Sequence, residues 1–150
     1  MQRIIVTGAT SMIGVALIEE CIKHGTEVYA VVREGSKKRA RLPESSLIKF
    51  ADCSLEHLDR LPEMISQECD TFYHIAWGNT GENRNSSTEL QSRNIGYTLA
   101  AVKAAAALGC KRFIGAGSQA EYGLLDLDRI SPESAANPTT PYGAAKLASG

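Results

Sequence analysis

Short runs of β-branched and aromatic residues alternate along this chain with longer segments whose apolar positions recur with a helical period. The short runs predict strands, and their bounds are Arg3–Thr7, Glu27–Val32, Ser46–Phe50, Thr71–Ala76 and Arg112–Ala116. The periodic segments predict helices, with the bounds Met12–His24, Leu55–Met64, Thr88–Leu108 and Tyr142 onward. Strands and helices that alternate in this way are typical of a parallel sheet covered by helices on both faces.

Two segments lack either pattern and are predicted to be loops. Gly78–Asn94, which overlaps the start of the third predicted helix, is polar and aperiodic, and Leu125–Pro141 contains several prolines. A long loop beside a strand end often has a function, although a plain surface excursion gives the same pattern. Because no repeat or low-complexity linker interrupts the chain, residues 1–150 are predicted to form one domain.

Composition and charge narrow the class of protein. The chain has 150 residues, 43% of them apolar and 22% charged, with a formal net charge of -1, as in an ordinary soluble protein. So small a net charge attracts neither nucleic acid nor an anionic membrane, and we expect neither as a partner. No apolar run approaches the roughly 20 residues that span a bilayer. Since no secretory signal is visible either, we expect a cytoplasmic protein.

The four cysteines are predicted to be reduced thiols that pack as small apolar groups. Cys21, Cys53, Cys69 and Cys110 form no CxxC pair, and no histidine accompanies them at metal-ligand spacing. The sequence therefore predicts no metal site.

A phosphate-binding loop is predicted between the first strand and the first helix, where the sequence reads Thr7-Gly8-Ala9-Thr10-Ser11-Met12-Ile13-Gly14. Its glycines permit a tight turn and close packing of the helix, and the helix N-terminus offers N–H groups and partial positive charge to a pyrophosphate. An ordinary strand–helix turn is the competing interpretation. Under the favoured one, the residues that contact the cofactor are Gly8, Thr10, Ser11, Met12, Ile13 and Gly14.

This loop resembles the TGxxGxxG motif of the short-chain dehydrogenase/reductase superfamily, with Ser11 in place of the middle glycine. The resemblance implies a Rossmann-like, doubly wound sheet with the strand order 3-2-1-4-5 and a nicotinamide cofactor. It also implies that Asp52 contacts adenine, that Ala76 lines the cofactor cleft and that Asn94 helps to organise the active site. His74 is instead expected to be a packed strand residue without a chemical role.

The choice between NAD and NADP depends on the residue that follows the second strand. An acidic residue there holds the adenosine ribose of NAD, whereas an arginine can grip a 2′-phosphate with two parallel hydrogen bonds. Arg33 follows this strand and favours NADP, whereas Glu34 is an alternative contact that would favour NAD. For the basic residues between Lys37 and Arg41, a solvated surface loop is the favoured interpretation.

A catalytic pair is predicted at the end of the chain, where Tyr142 and Lys146 are spaced to share one face of a helix. A nearby ammonium favours the phenolate form, so such a tyrosine can move a proton near neutral pH. Ser118 follows the fifth strand, where its hydroxyl could hydrogen-bond a substrate oxygen. The three residues resemble the superfamily's Ser-Tyr-Lys site, which implies that they are catalytic and that Tyr142 and Lys146 also contact the cofactor.

The resemblance is strongest to the extended branch of the superfamily, many of whose members act on nucleotide sugars. Gln119 and Ala120 follow Ser118 where the branch's sugar 4,6-dehydratases carry Asp-Glu, so dehydration is disfavoured. The hypothesis is an NAD(P)-dependent reductase or epimerase of a nucleotide sugar, with keto-sugar reduction favoured over epimerisation. A non-catalytic NAD(P)-binding regulatory module is the alternative.

Two further expectations follow from that resemblance. Members of the branch are longer than this chain, so the dinucleotide-binding domain is expected to be truncated before a C-terminal substrate region. A homodimer is also possible, because the helices that correspond to Thr88–Leu108 and to the Tyr142 helix pack across a dimer in many members.

Overall fold

The computed structural model describes residues 2–125 and 129–150, and the chain forms two compact units. The first unit comprises Met1–Ala76 and Ala100–Ala116, and the second comprises Trp77–Leu99 and Gly117–Gly150. The loop predicted at Leu125–Pro141 is confirmed for residues 129–140, whereas residues 126–128 of that prediction lie outside the described part.

The first unit is built on a five-stranded parallel sheet with the strand order β3-β2-β1-β4-β5, which confirms the predicted topology. The strands are β1 (Arg3–Thr7), β2 (Glu27–Val32), β3 (Ile48–Asp52), β4 (Thr71–His74) and β5 (Arg112–Gly115). β3 begins later than predicted because residues 46–47 form a turn, in which the Leu47 N–H donates to the Ser45 hydroxyl, and it also ends later, since it pairs with β2 as far as Asp52. β4 and β5 end earlier than predicted, since their ladder stops at His74 and Gly115.

The helices are α1 (Met12–Lys23), α2 (Leu61–Met64), α3 (Thr88–Ala107) and α4 (Pro141–Ser149). The predicted helix Leu55–Met64 is wrong in its first part, where Leu55–Arg60 is a 3-10 segment interrupted at His57, whose φ of -126° is not helical. The predicted loop Gly78–Asn94 is wrong in its last part, because α3 begins at Thr88. The first turns of α3 are polar on two sides: Glu89 pairs with Arg93 across one turn at 2.6 Å on the exposed side, and the amides of Gln91 and Asn94 are buried on the other.

Apolar side chains cover both faces of the sheet in the first unit. On one face, Val6 of β1 and Val28 of β2 pack with Ile18 of α1. On the other face, Phe72 of β4 packs with the C-terminal part of α3, including Ala101. Strands that are buried on both faces by helices define a Rossmann-like, doubly wound fold.

A buried carboxylate joins the N-terminal ends of three neighbouring strands in this unit. The side chain of Glu27 is 11% exposed, and its two oxygens lie 2.9 Å from Arg3 Nε and 2.8 Å from Lys49 Nζ. The hydrogen bond from Lys49 is the main cause that lowers the pKa of Glu27; burial opposes it and Arg3 adds to it. Glu27 therefore bridges β1, β2 and β3 at the edge of the sheet opposite the phosphate loop.

All four cysteines are free thiols, as predicted. Cys53 and Cys69 are buried, and Cys21 and Cys110 are half-buried. Burial raises the pKa of Cys69 to about 12 and that of Cys110 to about 11, so both thiols are protonated at neutral pH.

In the part of the chain that the structure describes, no cluster of three or more His, Cys, Asp or Glu side chains is placed to hold a metal ion. Across the same residues, no helix is both long and apolar enough to cross a membrane.

Candidate functional site

The loop between β1 and α1 is a narrow backbone cradle in the first unit. Gly8 has a φ of 70°, a left-handed conformation that favours glycine, and a Cβ there would lie 2.7 Å from the backbone nitrogen of Ala76. A Cβ at Gly14 would clash with the carbonyl oxygens of Gly8 and Ala9. The two glycines therefore let β4 and α1 approach the loop backbone closely.

Ser11 is the N-cap of α1, and its Oγ accepts a hydrogen bond of 3.0 Å from the Gly14 N–H. A hydroxyl that accepts in this way still has its own proton to donate. The side chains of Met12 and Ile13 are 78% and 59% exposed, so the first turn of α1 is open to solvent. Unpaired N–H groups, the helix dipole and this hydroxyl together fit a pyrophosphate group.

The carboxyl ends of β2 and β3 carry the residues predicted to contact the adenosine part of a cofactor. Val32 pairs with Asp52, which places Arg33 and Asp52 at the same edge of the sheet. Arg33, Glu34 and Asp52 are all exposed. Because the carboxyl ends of parallel strands meet at one edge, these side chains lie at the same edge as the phosphate cradle after β1.

The basic segment that follows β2 forms the 3-10 turn Lys37–Arg41, and two of its arginines contact the rest of the first unit. Arg39 forms an ion pair with Asp52, and its guanidinium lies 4.8 Å from the centroid of the Phe50 ring. Arg41 Nη1 donates a hydrogen bond of 2.8 Å to the carbonyl oxygen of Thr10 in the phosphate loop. The segment itself stays at the surface without a buried residue, as the solvated interpretation predicts, while the guanidinium groups of Arg39 and Arg41 contact the protein.

The end of β4 is held against β1 by a buried hydrogen-bond cluster. Thr7 Oγ1 lies 2.9 Å from His74 Nδ1 and accepts a hydrogen bond of 3.3 Å from the Ala76 N–H. The His74 side chain is buried beside the rings of Phe72 and Phe113. His74 is thus a packed strand residue, as predicted, and it fixes the backbone that leads to Ala76.

Ser118 is the N-cap of a 3-10 turn formed by residues Gln119–Glu121 in the second unit. Its Oγ accepts a hydrogen bond of 3.2 Å from the Ala120 N–H, and its own N–H donates to Glu121 Oε1 at 2.6 Å. This capping box holds the serine side chain in one orientation and leaves its hydroxyl proton available. Ser118 is half-buried, which keeps that proton within reach of a bound molecule.

α4 presents the predicted tyrosine and lysine. Thr140 caps this helix through a hydrogen bond of 3.1 Å from the Gly143 N–H to its Oγ1, so that Tyr142 and Lys146 lie on the first two turns. Tyr142 is half-buried, and Lys146 is buried, with 6% of its surface exposed. Burial lowers the pKa of Lys146, and the charge of Glu121 partly offsets that effect.

Trp77 brings the two side chains together. Lys146 Nζ lies 3.8 Å from the centroid of the Trp77 ring, and the Tyr142 ring stands perpendicular to it with 6.0 Å between ring centroids. Arg84, in the 3-10 turn Glu82–Asn85, places its guanidinium 4.7 Å from the centroid of the Tyr142 ring. We call Tyr142, Lys146, Trp77 and Arg84 the α4 cluster.

Sequence reasoning identified the tyrosine and the lysine of this cluster but missed the other two members. Trp77 directly follows Ala76 in a segment already predicted to line a cleft, so its position was a signal that could have found it. Arg84 lies in an aperiodic polar segment that carries no such signal.

Asn94 is 1% exposed and holds the backbone of Gly78. Its Oδ1 accepts a hydrogen bond of 2.7 Å from the Gly78 N–H, and its Nδ2 donates to the Gly78 carbonyl oxygen at 3.1 Å and to Gln91 Oε1 at 3.2 Å. Gln91 Oε1 also accepts a hydrogen bond of 2.9 Å from Trp77 Nε1. The amide of Asn94 is thus engaged within the protein, and it orders the segment that carries Trp77.

The strand order and the glycine-lined turn after β1 define an α/β protein with a Rossmann-like fold. Residues 4–150 match the family described as the NAD dependent epimerase/dehydratase family, and the chain belongs to that family.

Two curated relatives share about a quarter of their residues with this chain. It is 26% identical over 145 residues to the UDP-glucose 4-epimerase of Streptomyces lividans, a match that covers 96% of this chain and 44% of that protein. It is 27% identical over 145 residues to the dTDP-6-deoxy-L-talose 4-dehydrogenase (NAD(+)) of Aggregatibacter actinomycetemcomitans, with 97% and 52% covered. The chain therefore spans about half the length of these relatives.

Solved structures show the same fold. The Bordetella bronchiseptica enzyme WbmG in complex with NAD matches with a TM-score of 0.82 at 23% identity, covering 98% of this chain and 47% of that one. The UDP-Glc/GlcNAc 4-epimerase of Campylobacter jejuni matches with a TM-score of 0.82 at 23% identity, covering 99% and 47%.

Proposed function

We propose that this chain carries the cofactor-binding and proton-transfer residues of an NAD(P)-dependent enzyme that reduces or epimerises a nucleotide sugar. The observation that carries the proposal is the α4 cluster, in which a buried lysine with a lowered pKa and a half-buried tyrosine meet on one indole ring. Perturbed and partly buried titratable groups of this kind are typical of reactive sites. The names of both curated relatives, a sugar epimerase and a sugar dehydrogenase, support the same class.

Three side chains share the work in this proposal. Tyr142 Oη exchanges a proton with the oxygen on the sugar carbon that is oxidised or reduced. The Lys146 ammonium supports the phenolate of Tyr142, since an opposite charge favours the ionised form. Ser118, whose hydroxyl proton is not used by its capping bond, donates a hydrogen bond to the same sugar oxygen. A bound nicotinamide cofactor supplies the hydride chemistry that no side chain can perform.

The loop after β1 supports the binding of such a cofactor, because the first turn of α1 is open to solvent at Met12 and Ile13 and can offer its N–H groups to a pyrophosphate. In this proposal the loop residues Gly8, Thr10, Ser11, Met12, Ile13 and Gly14 hold the pyrophosphate, with Asp52 at the adenine. Arg33 would pair with a 2′-phosphate, which favours NADP. The relatives whose names include a cofactor name NAD, so the identity of the dinucleotide calls for direct comparison.

Keto-sugar reduction is the favoured reaction within this class. Gln119 and Ala120 carry no carboxylate for water elimination, which disfavours a 4,6-dehydratase. Arg33 favours NADPH, the usual donor in reductions, over the bound NAD that an epimerase recycles. A homodimer is part of the proposal, and in the second unit Leu99 of α3 and Leu147 of α4 are exposed apolar side chains that such an interface would bury.

The test substitutes Tyr142 with phenylalanine in the full-length product of the gene. We expect the variant to lose turnover of nucleotide-linked 4-keto sugars by about a hundredfold or more, because it cannot transfer the proton. Oxidation of NADPH or NADH, followed by absorbance, measures turnover. Tyr73→Phe, which removes a hydroxyl from a half-buried tyrosine of β4, is the matched control and should keep full activity.

Two results would contradict the catalytic proposal. Equal turnover of Tyr142→Phe and the unsubstituted protein would remove Tyr142 from the reaction. Cofactor binding without turnover of any nucleotide-linked keto or hydroxy sugar would instead support the non-catalytic regulatory module.

A further inference from the structure

Trp77 occupies an unusual place among the contacts of the second unit. Its ring meets a cation, Lys146 Nζ, at 3.8 Å from the centroid, and it meets the phenol ring of Tyr142 at an interplanar angle of 85°. Its only polar atom, Nε1, donates to Gln91 Oε1 at 2.9 Å. One side chain thus contacts both members of the proposed proton-transfer pair.

The indole is itself fixed in place by buried amides. Gln91 is 0% exposed and its Nε2 donates to the carbonyl oxygen of Asn79 at 2.9 Å, while Asn94 donates to the same Gln91 oxygen that Trp77 uses. These hydrogen bonds leave the ring few alternative orientations. A cation on the face of such a ring is attracted by its quadrupole, most strongly where water is excluded.

We propose that Trp77 is a positioning residue for the Tyr142–Lys146 pair: its indole face holds the Lys146 ammonium, and its contact with the Tyr142 ring fixes where the phenol stands. This inference rests on the proposed function for its catalytic meaning. Its physical content concerns only how the ring stabilises the charged lysine.

Opposing effects act on the charge of Lys146. A substitution at Trp77 can separate the contribution of the indole ring from the other contributions. Burial disfavours the ammonium and lowers its pKa, whereas Glu121, from the turn packed on α4, favours the charge. The ring of Tyr142 also contacts Trp77, and the guanidinium of Arg84 lies over the ring of Tyr142. If the indole holds the ammonium, replacing it with an apolar side chain that still excludes water must make Lys146 easier to deprotonate.

The experiment measures the acetylation rate of Lys146 as a function of pH, by acetic anhydride labelling and peptide mass spectrometry. It compares the unsubstituted protein with Trp77→Leu and Trp77→Phe. Each rate is divided by its own plateau at high pH, which removes changes in access to the reagent. The exposed Lys103 of α3 is labelled in the same sample and serves as the internal reference. Circular dichroism verifies that each variant is folded.

We expect the labelling midpoint of Lys146 to move to lower pH in Trp77→Leu. Below the midpoint, the deprotonated fraction should rise by about threefold or more, and Trp77→Phe should restore part of the difference because it retains a π face. The profile of Lys103 should not move.

An unchanged midpoint in Trp77→Leu would overturn the proposal, and so would a shift to higher pH, which would mean that the ring only keeps water out. If Trp77→Leu fails to fold, the proposal requires that the labelling midpoint of Lys146 in Trp77→Phe lie at lower pH than in the unsubstituted protein. Labelling needs neither cofactor nor sugar. The proposed function can therefore fail while the role of Trp77 is supported, and the role of Trp77 can fail while the proposed function is supported.

Discussion

Ser11 replaces a glycine in the phosphate loop, and two substitutions can separate what its hydroxyl does for the fold from what it does for a ligand. Its Oγ accepts the hydrogen bond from the Gly14 N–H at 3.0 Å, which is the capping bond of α1. Removing an N-cap hydroxyl by alanine costs about 1 kcal/mol of stability, whereas glycine at the same position costs only a few tenths. For a protein of this size, about 1 kcal/mol lowers the melting temperature by about 2–4 °C.

Urea and thermal unfolding followed by circular dichroism measure these differences. Ser36→Ala is the matched control, because Ser36 precedes the 3-10 turn Lys37–Arg41 without making a side-chain capping bond. We expect Ser36→Ala to change stability by less than about 0.5 kcal/mol. If Ser11→Ala is no less stable than Ser36→Ala, the capping bond contributes nothing and the reasoning is wrong.

The same variants test the phosphate contact. A hydrogen bond to a charged group is worth about 1.5–3 kcal/mol, so Ser11→Ala should weaken binding of NADH or NADPH by about tenfold or more. Ser11→Gly also lacks the hydroxyl but lets the backbone approach the phosphate, and it should bind more tightly than Ser11→Ala. Trp77 is the sole tryptophan of the chain, so energy transfer from its emission to reduced nicotinamide reports binding. Equal affinity of Ser11→Ala and the unsubstituted protein would show that the hydroxyl does not reach the phosphate.

The remaining predictions concern a strand bridge and the choice of cofactor. Glu27→Gln should destabilise the protein by about 1–2 kcal/mol at pH 7, because two cations lose their nearly buried partner. Folding lowers the pKa of Glu27, so its carboxylate contributes fully to the free energy of unfolding above the unfolded pKa of about 4.3. That contribution disappears as the pH falls through the folded pKa. The free energies of unfolding of Glu27→Gln and of the unsubstituted protein should therefore converge in acid. Glu20→Gln, at an exposed carboxylate of α1, is the control, and an equal effect would refute the bridge. Arg33→Glu should weaken NADPH binding by about tenfold or more without weakening NADH binding, as measured by fluorescence. An equal loss of NADPH affinity in Lys38→Glu would show that Arg33 acts only through the positive electrostatic potential of the surface and not through a specific contact.

The fold was predictable because its signals are local. The strands of the sheet are short runs rich in apolar residues. The turn after β1 carries two glycines at positions where neighbouring backbone comes too close for a Cβ atom. The errors occurred where a local side-chain contact overrides the pattern of apolar and polar positions. Residues 46–47 are β-compatible by position but form a turn through the Ser45 hydroxyl, and the polar start of α3 reads as loop although charge pairing supports it as helix.

The candidate site was predictable only in part, for a different physical reason. Tyr142 and Lys146 are four residues apart, a spacing that places them on one helix face whatever surrounds them. Trp77 and Arg84 join them through contacts of long sequence separation, which no periodicity encodes. Likewise, the ion pair of Arg39 with Asp52 depends on how the segment after β2 folds back on β3, which the sequence pattern does not encode.

One device recurs at all three motifs and explains why their hydroxyl residues stand where they do. Ser11, Ser118 and Thr140 each accept a backbone N–H at the start of a helix or turn, from Gly14, Ala120 and Gly143. A hydroxyl has one proton to donate and two lone pairs that accept, so a cap uses an acceptor position and fixes the oxygen without consuming the proton. At Ser11 and Ser118 the capping bond leaves the hydroxyl proton to be donated, and the proposed function assigns it to a phosphate and to a sugar oxygen. At Thr140 the cap instead sets the first turn of α4 and with it the direction of Tyr142. Capping thus fixes the local structure and orients the donors in one step, and alanine at Ser118 should therefore disturb the Gln119–Glu121 turn as well as the substrate contact.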